Sequence, residues 1–437
     1  MGKVKPIFFI LLCVLVFLYF LFLSVLILML NPILLIIPNF SVTNSWVILF
    51  FGVILLLQIP ATIILLSRLF KGAIRVPPLQ PQNPSLELLG TVSIVVPTLN
   101  EAARVTPCLE GLTRQSYEVR EILIVDSHSQ DGTQDIIQQF AESDPRFRLI
   151  LDDPLPPEWV GRPWALNTGF LKSSEKSEWI LGIDADTLPQ PGLVASVVQT
   201  AIANQYDLLS LSCKFILKYP GELWLQPALL MTLVYRFGSP DLSPQKPERV
   251  MANGQCFLCR RSVLEKVGGY SSAKNSFCDD VTLARNIAQQ GFKVGFLDGA
   301  NVLTVRMYDG LKDTWEGWGR SLDLKDACSK TQLWGDLFLL FAVQALPLPL
   351  LLINLIFSSS LSLPGFLSST ILGLNGFLVF LRIILTAAIS LSYDLSQAQM
   401  PWVFWLSPLA DPVAVLRLWI SATQTQIQWR GRTYEKN

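Results

Sequence analysis

Long apolar runs lie near both ends of the chain and enclose a middle part in which apolar and polar stretches alternate. Residues 6–30 and 46–66 are each long enough to cross a bilayer, which takes about 20 residues. Two further runs of that length, residues 337–357 and 364–389, follow the middle part, and Arg382 interrupts the second. The pattern therefore predicts membrane helices on both sides of a polar domain.

The last apolar stretch, residues 401–422, contains Asp411 and Arg417. Because two charges are costly at the bilayer centre, we expect a helix on the membrane surface here. Basic residues precede the first run and follow the second, whereas residues 31–45 carry no charge. The positive-inside rule then places everything after residue 75 on the cytoplasmic side, in an integral membrane protein.

Strand-like and helix-like stretches alternate in the middle part. Short apolar runs predict four strands, at residues 92–96, 121–125, 147–151 and 179–183, and the first and the last of them should be buried. The stretches between them predict helices, one of which should start at Thr106 as N-cap with Pro107 as first helical residue. Such alternation predicts an α/β domain with a mainly parallel sheet.

The predicted organisation has four parts. They are two N-terminal transmembrane helices in residues 1–75, a proline-rich linker in 76–90, the α/β domain in 91–330, and C-terminal transmembrane or interfacial helices with a basic tail in 331–437.

Two acids directly follow the fourth predicted strand, at Asp184 and Asp186. The carboxyl ends of parallel strands bind ligands in open α/β sheets, and Asn100, Glu101 and Asp126 follow other strands at the same edge. Paired acids suit a divalent ion held against substrate phosphates. A strand end followed by a turn is the alternative, since Asp and Pro favour turns.

A second acidic pair, Asp279 and Asp280, precedes a predicted helix start. Acids stabilise a helix N-terminus, but a carboxylate here could also act as a base towards a substrate hydroxyl. The only histidine, His128, lies between two serines in a predicted loop, so a hydrolase triad is not expected.

The amino-acid composition further limits the functions that can be expected. The chain is 51% hydrophobic and 16% charged, with 34 basic and 34 acidic residues, so charge gives no reason to expect nucleic acid binding. Seven cysteines are scattered, and the single CxxC lacks a second pair or a nearby histidine for zinc. Buried, reduced thiols are the expected state.

The acidic motifs, in their order and spacing, resemble those of the family 2 glycosyltransferases with the GT-A fold. The resemblance rests on residues 92–101, 125–133, 184–186 and 278–280. It implies that a nucleotide-sugar donor gives its sugar to an acceptor hydroxyl with inversion, helped by Mn²⁺ or Mg²⁺.

The resemblance also implies roles for single residues. The nucleotide-sugar would contact Pro97, Thr98, Glu101, Asp126 and Asp184. Ser127 would also lie in this pocket, at a position where family members often carry a second acid. Asp186 would bind the metal, and Asp280 would be the general base with Asp279 beside it.

Residues 156–167 and the tail 429–434 resemble membrane glycosyltransferases that act on lipids. Arg162 stands where those enzymes usually have a lysine, which keeps a cation for the diphosphate. The resemblance is greatest to carotenoid 2'-O-glycosyltransferases of cyanobacterial type, acting on xanthophylls such as myxol. It implies transfer of one sugar, with candidate acceptor contacts at Trp224, Trp315, Trp318, Arg320, Trp429, Arg430 and Arg432.

Other interpretations stay open. A hopanoid or ceramide-type lipid could be the acceptor, and the two tryptophans of residues 156–167 could be ordinary core residues. A catalytically inactive membrane scaffold with the same fold is the alternative from another class. A transporter is disfavoured by the uncharged first two runs.

Residues 223–237 are strongly apolar but too short to span a bilayer. One interpretation is a core helix. The other is an interfacial helix with Trp224 and Tyr235 at headgroup depth, forming one wall of a channel for a lipid acceptor.

Overall fold

The computed structural model describes residues 43–71, 76–240, 246–320, 322–361, 363–429 and 432–435. The first apolar run, residues 6–30, lies outside the described residues. The described strands are β1 (Val92–Thr98), β2 (Val119–Asp126), β3 (Phe147–Leu151), β4 (Trp179–Ile183), β5 (Thr187–Pro189), β6 (Leu208–Ser212), β7 (Lys214–Ile216), β8 (Cys256–Arg260), β9 (Val294–Asp298), β10 (Leu303–Val305), β11 (Tyr393–Asp394), β12 (Gln426–Trp429) and β13 (Arg432–Glu435).

Helices connect these strands and follow them. The α-helices are α1 (Thr43–Lys71), α2 (Val105–Thr113), α3 (Thr133–Ser143), α4 (Gly161–Lys172), α5 (Leu193–Ala203), α6 (Pro220–Phe237), α7 (Arg261–Lys266), α8 (Asp279–Gln289), α9 (Gly310–Trp318), α10 (Lys330–Leu340), α11 (Pro347–Leu361), α12 (Gly365–Ser390) and α13 (Asp411–Thr423). A π-helical turn, Phe341–Ala345, joins α10 to α11, and a 3-10 helix, Pro401–Ala410, precedes α13.

Seven strands form the central sheet, in the order β3-β2-β1-β4-β8-β6-β9. Four of its six neighbouring pairs are parallel, and β8 runs antiparallel to both β4 and β6. The predicted α/β class with a mainly parallel sheet is therefore confirmed. The antiparallel β8 was not among the predicted strands.

A second, smaller sheet has the order β11-β7-β10-β5. Asp184 and Asp186 lie between β4 of the large sheet and β5 of the small one, so the chain changes sheets at this acidic pair. Strand β11 follows the long apolar helix α12 and pairs with β7. The chain therefore returns to the α/β domain after α12.

The predicted strands agree with the structure at their cores, whereas two helix starts differ. Helix α2 begins at Val105, so Thr106 and Pro107 lie inside its first turn, and no side chain caps it. Asp279 and Asp280 form the first turn of α8 instead of preceding it. Helix α2 thus starts two residues before Pro107, and α8 starts two residues before its first apolar residue, Val281, because polar first-turn residues add no apolar periodicity.

Four described helical stretches are long and apolar enough to cross a membrane: Trp46–Phe70, Lys330–Ile356, Gly365–Ser390 and Pro401–Thr423. Their outer faces expose large apolar side chains, such as Leu56 and Phe380, and their inner faces pack on α6. The cysteines behave as expected in the described part of the chain, since all six there are free thiols and five are buried.

The interfacial interpretation of residues 223–237 is wrong. Helix α6 lies between the α/β domain and the apolar helices, and most of its side chains are buried. Tyr235 is only 1% exposed, so it does not reach a headgroup layer. Trp224 is half-buried and packs between two apolar clusters. The apolar character of α6 thus comes from contacts on all its sides.

Candidate active site

A cavity of about 350 Å³ opens at the carboxyl ends of β1 and β4 and at the first turn of α8. This volume is within the usual range of ligand sites in proteins. Most of the residues proposed from the sequence for donor, metal and catalysis line it, namely Pro97, Thr98, Glu101, Ser127, Arg162, Asp184, Asp186 and Asp279. Asp126 and Asp280 lie just behind the lining.

Asp126 supports the floor of the cavity. It is fully buried at the end of β2 and accepts hydrogen bonds from Thr98 Oγ1 (3.0 Å) and from the Ser129 N–H (2.8 Å). Gln134 Nε2 donates to the same carboxylate at 2.8 Å. Asp126 therefore fixes Thr98 and the loop after β2 and does not itself line the cavity.

The Ser127 side chain is hydrogen-bonded to a buried acid. Its hydroxyl donates to Asp152 Oδ2 at 2.7 Å, and Asp152 is buried at the end of β3. The neighbouring His128 places Nε2 2.9 Å from the Asp152 carbonyl oxygen. His128 thus belongs to the loop structure, as the sequence indicated, and Asp152 is an acid that the sequence did not single out.

The two acids after β4, Asp184 and Asp186, lie in different environments. Asp184 accepts from Arg162 Nε at 2.9 Å and Nη2 at 2.8 Å. Asp186 has a buried Oδ1 atom with no hydrogen-bond partner. Burial, together with the charge of Asp184, raises the pKa of Asp186 to about 7. Asp186 is therefore a buried acid with one oxygen left without a hydrogen-bond partner, and the charge of Arg104 opposes the rise of its pKa only in part.

Arg162 lies at the centre of the site, in the first turn of α4. Its guanidinium joins Asp184 to Asp279, which comes from the distant helix α8, and it also donates to the Gly254 carbonyl oxygen at 2.8 Å. Burial alone lowers the pKa of the guanidinium, but the charges of Asp184 and Asp279 outweigh it, so the pKa is raised. Arg162 is permanently cationic.

The two acids of α8 differ in their contacts. Asp279 is 5% exposed, lines the cavity and pairs with Arg162. Asp280 accepts from the Gly254 N–H at 2.7 Å and the Val281 N–H at 2.8 Å. Burial raises the pKa of Asp279 to about 7 and raises that of Asp280, although Arg162 opposes both shifts. Both carboxyls thus have more affinity for a proton than an exposed aspartate.

The opposite wall comes from α9 and the residues on either side of it. Met307, Tyr308, Gly317 and Arg320 line the cavity there. Burial raises the pKa of Tyr308 to about 12, so its hydroxyl keeps its proton and can donate a hydrogen bond. Of the acceptor contacts suggested by the sequence, only Arg320 lines the cavity among side chains that the structure describes.

The other suggested acceptor tryptophans do not line it. Trp318 is buried, and Trp315 packs against Arg417, whose guanidinium carbon is 5.1 Å from the ring centre. Trp224 is in α6 and away from the cavity lining. These rings pack helices together, which the sequence cannot distinguish from a binding surface.

The tail folds back onto the site. Strands β12 and β13 pair antiparallel, and Tyr434 lines the cavity with its ring 5.2 Å from that of Phe277. Trp429 and Arg432 are in these strands, but the structure describes the side chain of neither, and Arg430 lies outside the described residues. Tyr434 is the last residue of the tail motif, of which only the tryptophan and the two arginines were selected as acceptor contacts.

Comparison with known proteins supports the resemblance. Residues 93–268 match the model of Glycosyl transferase family 2, and residues 241–436 match that of Glycosyl transferase family 21. Residues 93–268 are therefore similar to a family 2 glycosyltransferase domain. The GT-A fold expected of that family agrees with the observed mainly parallel sheet and its acidic edge.

Curated relatives are distant. The chain is 26% identical over 239 residues to 4,4'-diaponeurosporenoate glycosyltransferase of Staphylococcus haemolyticus, which covers 54% of this chain and 62% of that protein. It is 32% identical over 207 residues to glycosyltransferase AglE of Haloferax volcanii, covering 47% and 64%. Probable glycosyltransferase YdaM of Bacillus subtilis is 22% identical over 246 residues, with 54% of each chain covered. The chain thus spans less than two thirds of these relatives.

Solved structures give a general likeness. The mannosyltransferase PcManGT from Pyrobaculum calidifontis, in complex with GDP-Man and Mn²⁺, is 19% identical, covers 84% of this chain and 99% of its own, and has a TM-score of 0.49. Glucosyl-3-phosphoglycerate synthase from Mycobacterium tuberculosis, with Mn²⁺, UDP and glucosyl-3-phosphoglycerate, covers 57% and 88% at 19% identity and a TM-score of 0.39.

The residues present fit one kind of metal site. In the described part of the chain, no three His, Cys, Asp or Glu side chains form a cluster that could hold a metal ion. Asp186, however, presents a buried oxygen without a partner. Mg²⁺ is commonly bound through one or two carboxylates plus substrate phosphates and water. Asp186 suits a cation that arrives with a diphosphate.

Proposed function

We propose that the protein transfers one sugar from a nucleotide-sugar to a hydroxyl group of a membrane lipid, with inversion at the anomeric carbon. One observation carries the proposal: acids from β4 and from α8 meet around Arg162 in a single cavity. A cation between two acidic groups suits a substrate with a diphosphate at one end and a reacting hydroxyl at the other.

Asp280 is the proposed general base. It takes the proton of the acceptor hydroxyl while that oxygen bonds to the anomeric carbon, and the bond from this carbon to the diphosphate oxygen breaks. The nucleoside diphosphate leaves with the bonding electron pair. The raised pKa of the Asp280 carboxyl makes it a better proton acceptor than an exposed aspartate. Attack from the face opposite the leaving group gives inversion.

Arg162 and Asp186 would act on the leaving group. Arg162 contributes a permanent positive charge close to Asp184, where the diphosphate would lie. Asp186 would hold a divalent ion, Mn²⁺ or Mg²⁺, which when bound offsets the charge that develops on the diphosphate. Pro97, Thr98, Glu101 and Ser127 would contact the nucleotide, with Asp126 and Asp152 fixing them from behind.

The lipid surface is the proposed location. Two of the candidate spans, Lys330–Ile356 and Gly365–Ser390, would cross the membrane as a hairpin, because the chain then re-enters the α/β domain at β11. The last candidate, Pro401–Thr423, starts and ends near that domain: the Gln399 N–H donates to the Lys218 carbonyl, and Lys325 Nζ donates to the Gln424 carbonyl. We therefore place it on the membrane surface, with the α/β domain on the cytoplasmic side.

A carotenoid such as myxol is the proposed acceptor. One relative is named a diaponeurosporenoate glycosyltransferase, and the residue 156–167 motif resembles that of carotenoid enzymes. A hopanoid or ceramide-type lipid is the second candidate acceptor. An inactive scaffold is disfavoured because Asp186 lines the cavity and Asp280 lies just behind the lining, where it accepts from the Gly254 N–H.

The test is product formation in membranes. Membranes containing the full chain would be incubated with single nucleotide-sugars and with carotenoid, hopanoid or ceramide, and lipids would be analysed by mass spectrometry. We expect one added hexose or deoxyhexose on the carotenoid. Products on hopanoid or ceramide alone would correct the acceptor, and release of no nucleotide with any donor would contradict the proposed activity.

A further inference from the structure

A short turn before β8, residues 253–255, contacts both halves of the site. The Gly254 carbonyl oxygen accepts from Arg162 Nη2 at 2.8 Å, and the Gly254 N–H donates to Asp280 Oδ2 at 2.7 Å. One residue without a side chain is therefore bonded to the cation proposed for the diphosphate and to the carboxylate proposed as base. The sequence patterns gave no reason to select it.

The turn itself is firmly held. Asn253 exchanges two hydrogen bonds with Ser210 on β6: its N–H donates to Ser210 Oγ at 2.7 Å, and that hydroxyl donates to its carbonyl at 2.9 Å. The side chains of Asn253 and Gln255 are joined at 3.0 Å, and Gln255 lines the cavity. The position of Gly254 is thus set by the sheet and not by Arg162 or Asp280.

Residue 254 has to be glycine because there is no room for a side chain, and not because of its backbone conformation. Gly254 is not among the residues with positive φ, so its backbone would accept alanine. A Cβ atom on Gly254, however, would lie 2.8 Å from Arg162 Cζ, well inside van der Waals contact. Arg162 is also bonded to Asp184 and Asp279, so it cannot move away without losing these ion pairs.

We propose that Gly254 is the positioning residue of the transfer site, whose peptide group sets the distance between the Arg162 guanidinium and the Asp280 carboxylate. This inference rests on the proposed function. Misplacing reacting groups by about 1 Å can cost roughly 100-fold in rate, so a single methyl group at this position is enough to matter. Gly254 touches neither substrate in this account and acts through Arg162 and Asp280.

A double-mutant cycle tests the inference on the full chain in detergent or membranes. The variants are Gly254→Ala, Arg162→Lys and the double variant. Gly335→Ala is the matched control, because a Cβ added at Gly335 in α10 would meet no atom within 4 Å. Gly254→Ala should lower kcat/KM for the donor by roughly 10- to 100-fold and leave the acceptor KM unchanged. Lysine lacks the branched head that the new methyl group would strike, so the double variant should be no worse than Arg162→Lys alone.

Two further outcomes decide the inference. Multiplicative effects of the two substitutions, or wild-type activity of Gly254→Ala, would overturn it. If Gly254→Ala fails to fold, the double variant should regain folding, and failure of both would also overturn the inference. The same double-mutant cycle can be measured without donor, from the apparent melting temperatures of the variants. If the wild-type protein transferred no sugar, the proposed function would be contradicted, but the contact between Gly254 and Arg162 could still be measured in this way.

Discussion

At the residue scale, the unpartnered oxygen of Asp186 gives the proposed metal site its sharpest test. Asp186→Ala should abolish sugar transfer and leave the melting temperature within a few degrees of wild type, because a strand-end acid adds little to the core. EDTA should act in the same way on wild type, and Mn²⁺ or Mg²⁺ should restore transfer. Full activity after exhaustive chelation would exclude a metal role for Asp186.

Asp279 should give the reaction a pH dependence. Burial raises the pKa of its carboxyl to about 7, and the ion pair with Arg162 exists only when this group is ionised. An acid loses its proton as pH rises, so kcat/KM at saturating metal should increase between about pH 6 and pH 8. Asp279→Asn should be less active and lack this rise. The same rise in Asp279→Asn would assign it to another group.

Some residues of the site could be predicted from the sequence, and others could not. Asp184, Asp186 and Asp279 could be selected because they follow an apolar strand or start a helix, and both features are local patterns. Gly254, Asp152 and Tyr434 could not, because their roles depend on contacts across 25 to 157 positions of the chain, from Ser127 with Asp152 to Phe277 with Tyr434. Spacing along a sequence carries no information on such contacts.

At the scale of elements, a buried ion pair joins two of the apolar segments. Arg382 of α12 donates to Asp411 of α13 through Nε at 2.8 Å and Nη2 at 3.0 Å, and Gln344 of the π-helical turn donates to Asp411 at 3.1 Å. The sequence shows these charges only as residues that are costly to bury in a bilayer, and we did not expect them to pair. Each charge is compensated by the other, and the pair joins α12 to the last helix.

Removing one partner of this pair should be more damaging than removing both. Asp411→Asn leaves Arg382 buried without a counter-charge, which costs roughly 3–5 kcal/mol for a buried pair. The double variant Arg382→Met with Asp411→Leu should recover most of the lost melting temperature in detergent. A double variant with a lower melting temperature than Asp411→Asn alone would show that the ion pair itself stabilises the fold and cannot be replaced by apolar side chains.

Elements could be predicted where their burial is simple. Strands β1, β2 and β4 are mostly buried and the edge strand β3 is partly exposed, but all four are short apolar runs, so they could be predicted from the sequence. Helix α6 is buried on nearly all sides, and this apolar pattern resembles that of a membrane-associated helix. The strands of the small sheet were missed because they are only two or three residues long, too short for a recognisable pattern.

At the scale of the whole molecule, the proposed topology places the α/β domain and the loop between α11 and α12 on opposite sides of the membrane. Ser143 and Gly365 are both exposed and suit single-cysteine labelling. An impermeant thiol reagent should label Gly365→Cys in intact cells and Ser143→Cys only after permeabilisation, with wild type as background control. Labelling of Ser143→Cys in intact cells would overturn the orientation.

The central claim is that the cavity around Arg162 transfers a sugar to a lipid hydroxyl with Asp280 as base. The most direct measurement is the single-turnover rate of labelled sugar transfer from bound nucleotide-sugar to carotenoid, for wild type and Asp280→Asn. Loss of a general base should slow the transfer roughly 100-fold or more while donor affinity changes little. An unchanged transfer rate in Asp280→Asn, or loss of donor binding with normal turnover of the bound sugar, would contradict the account.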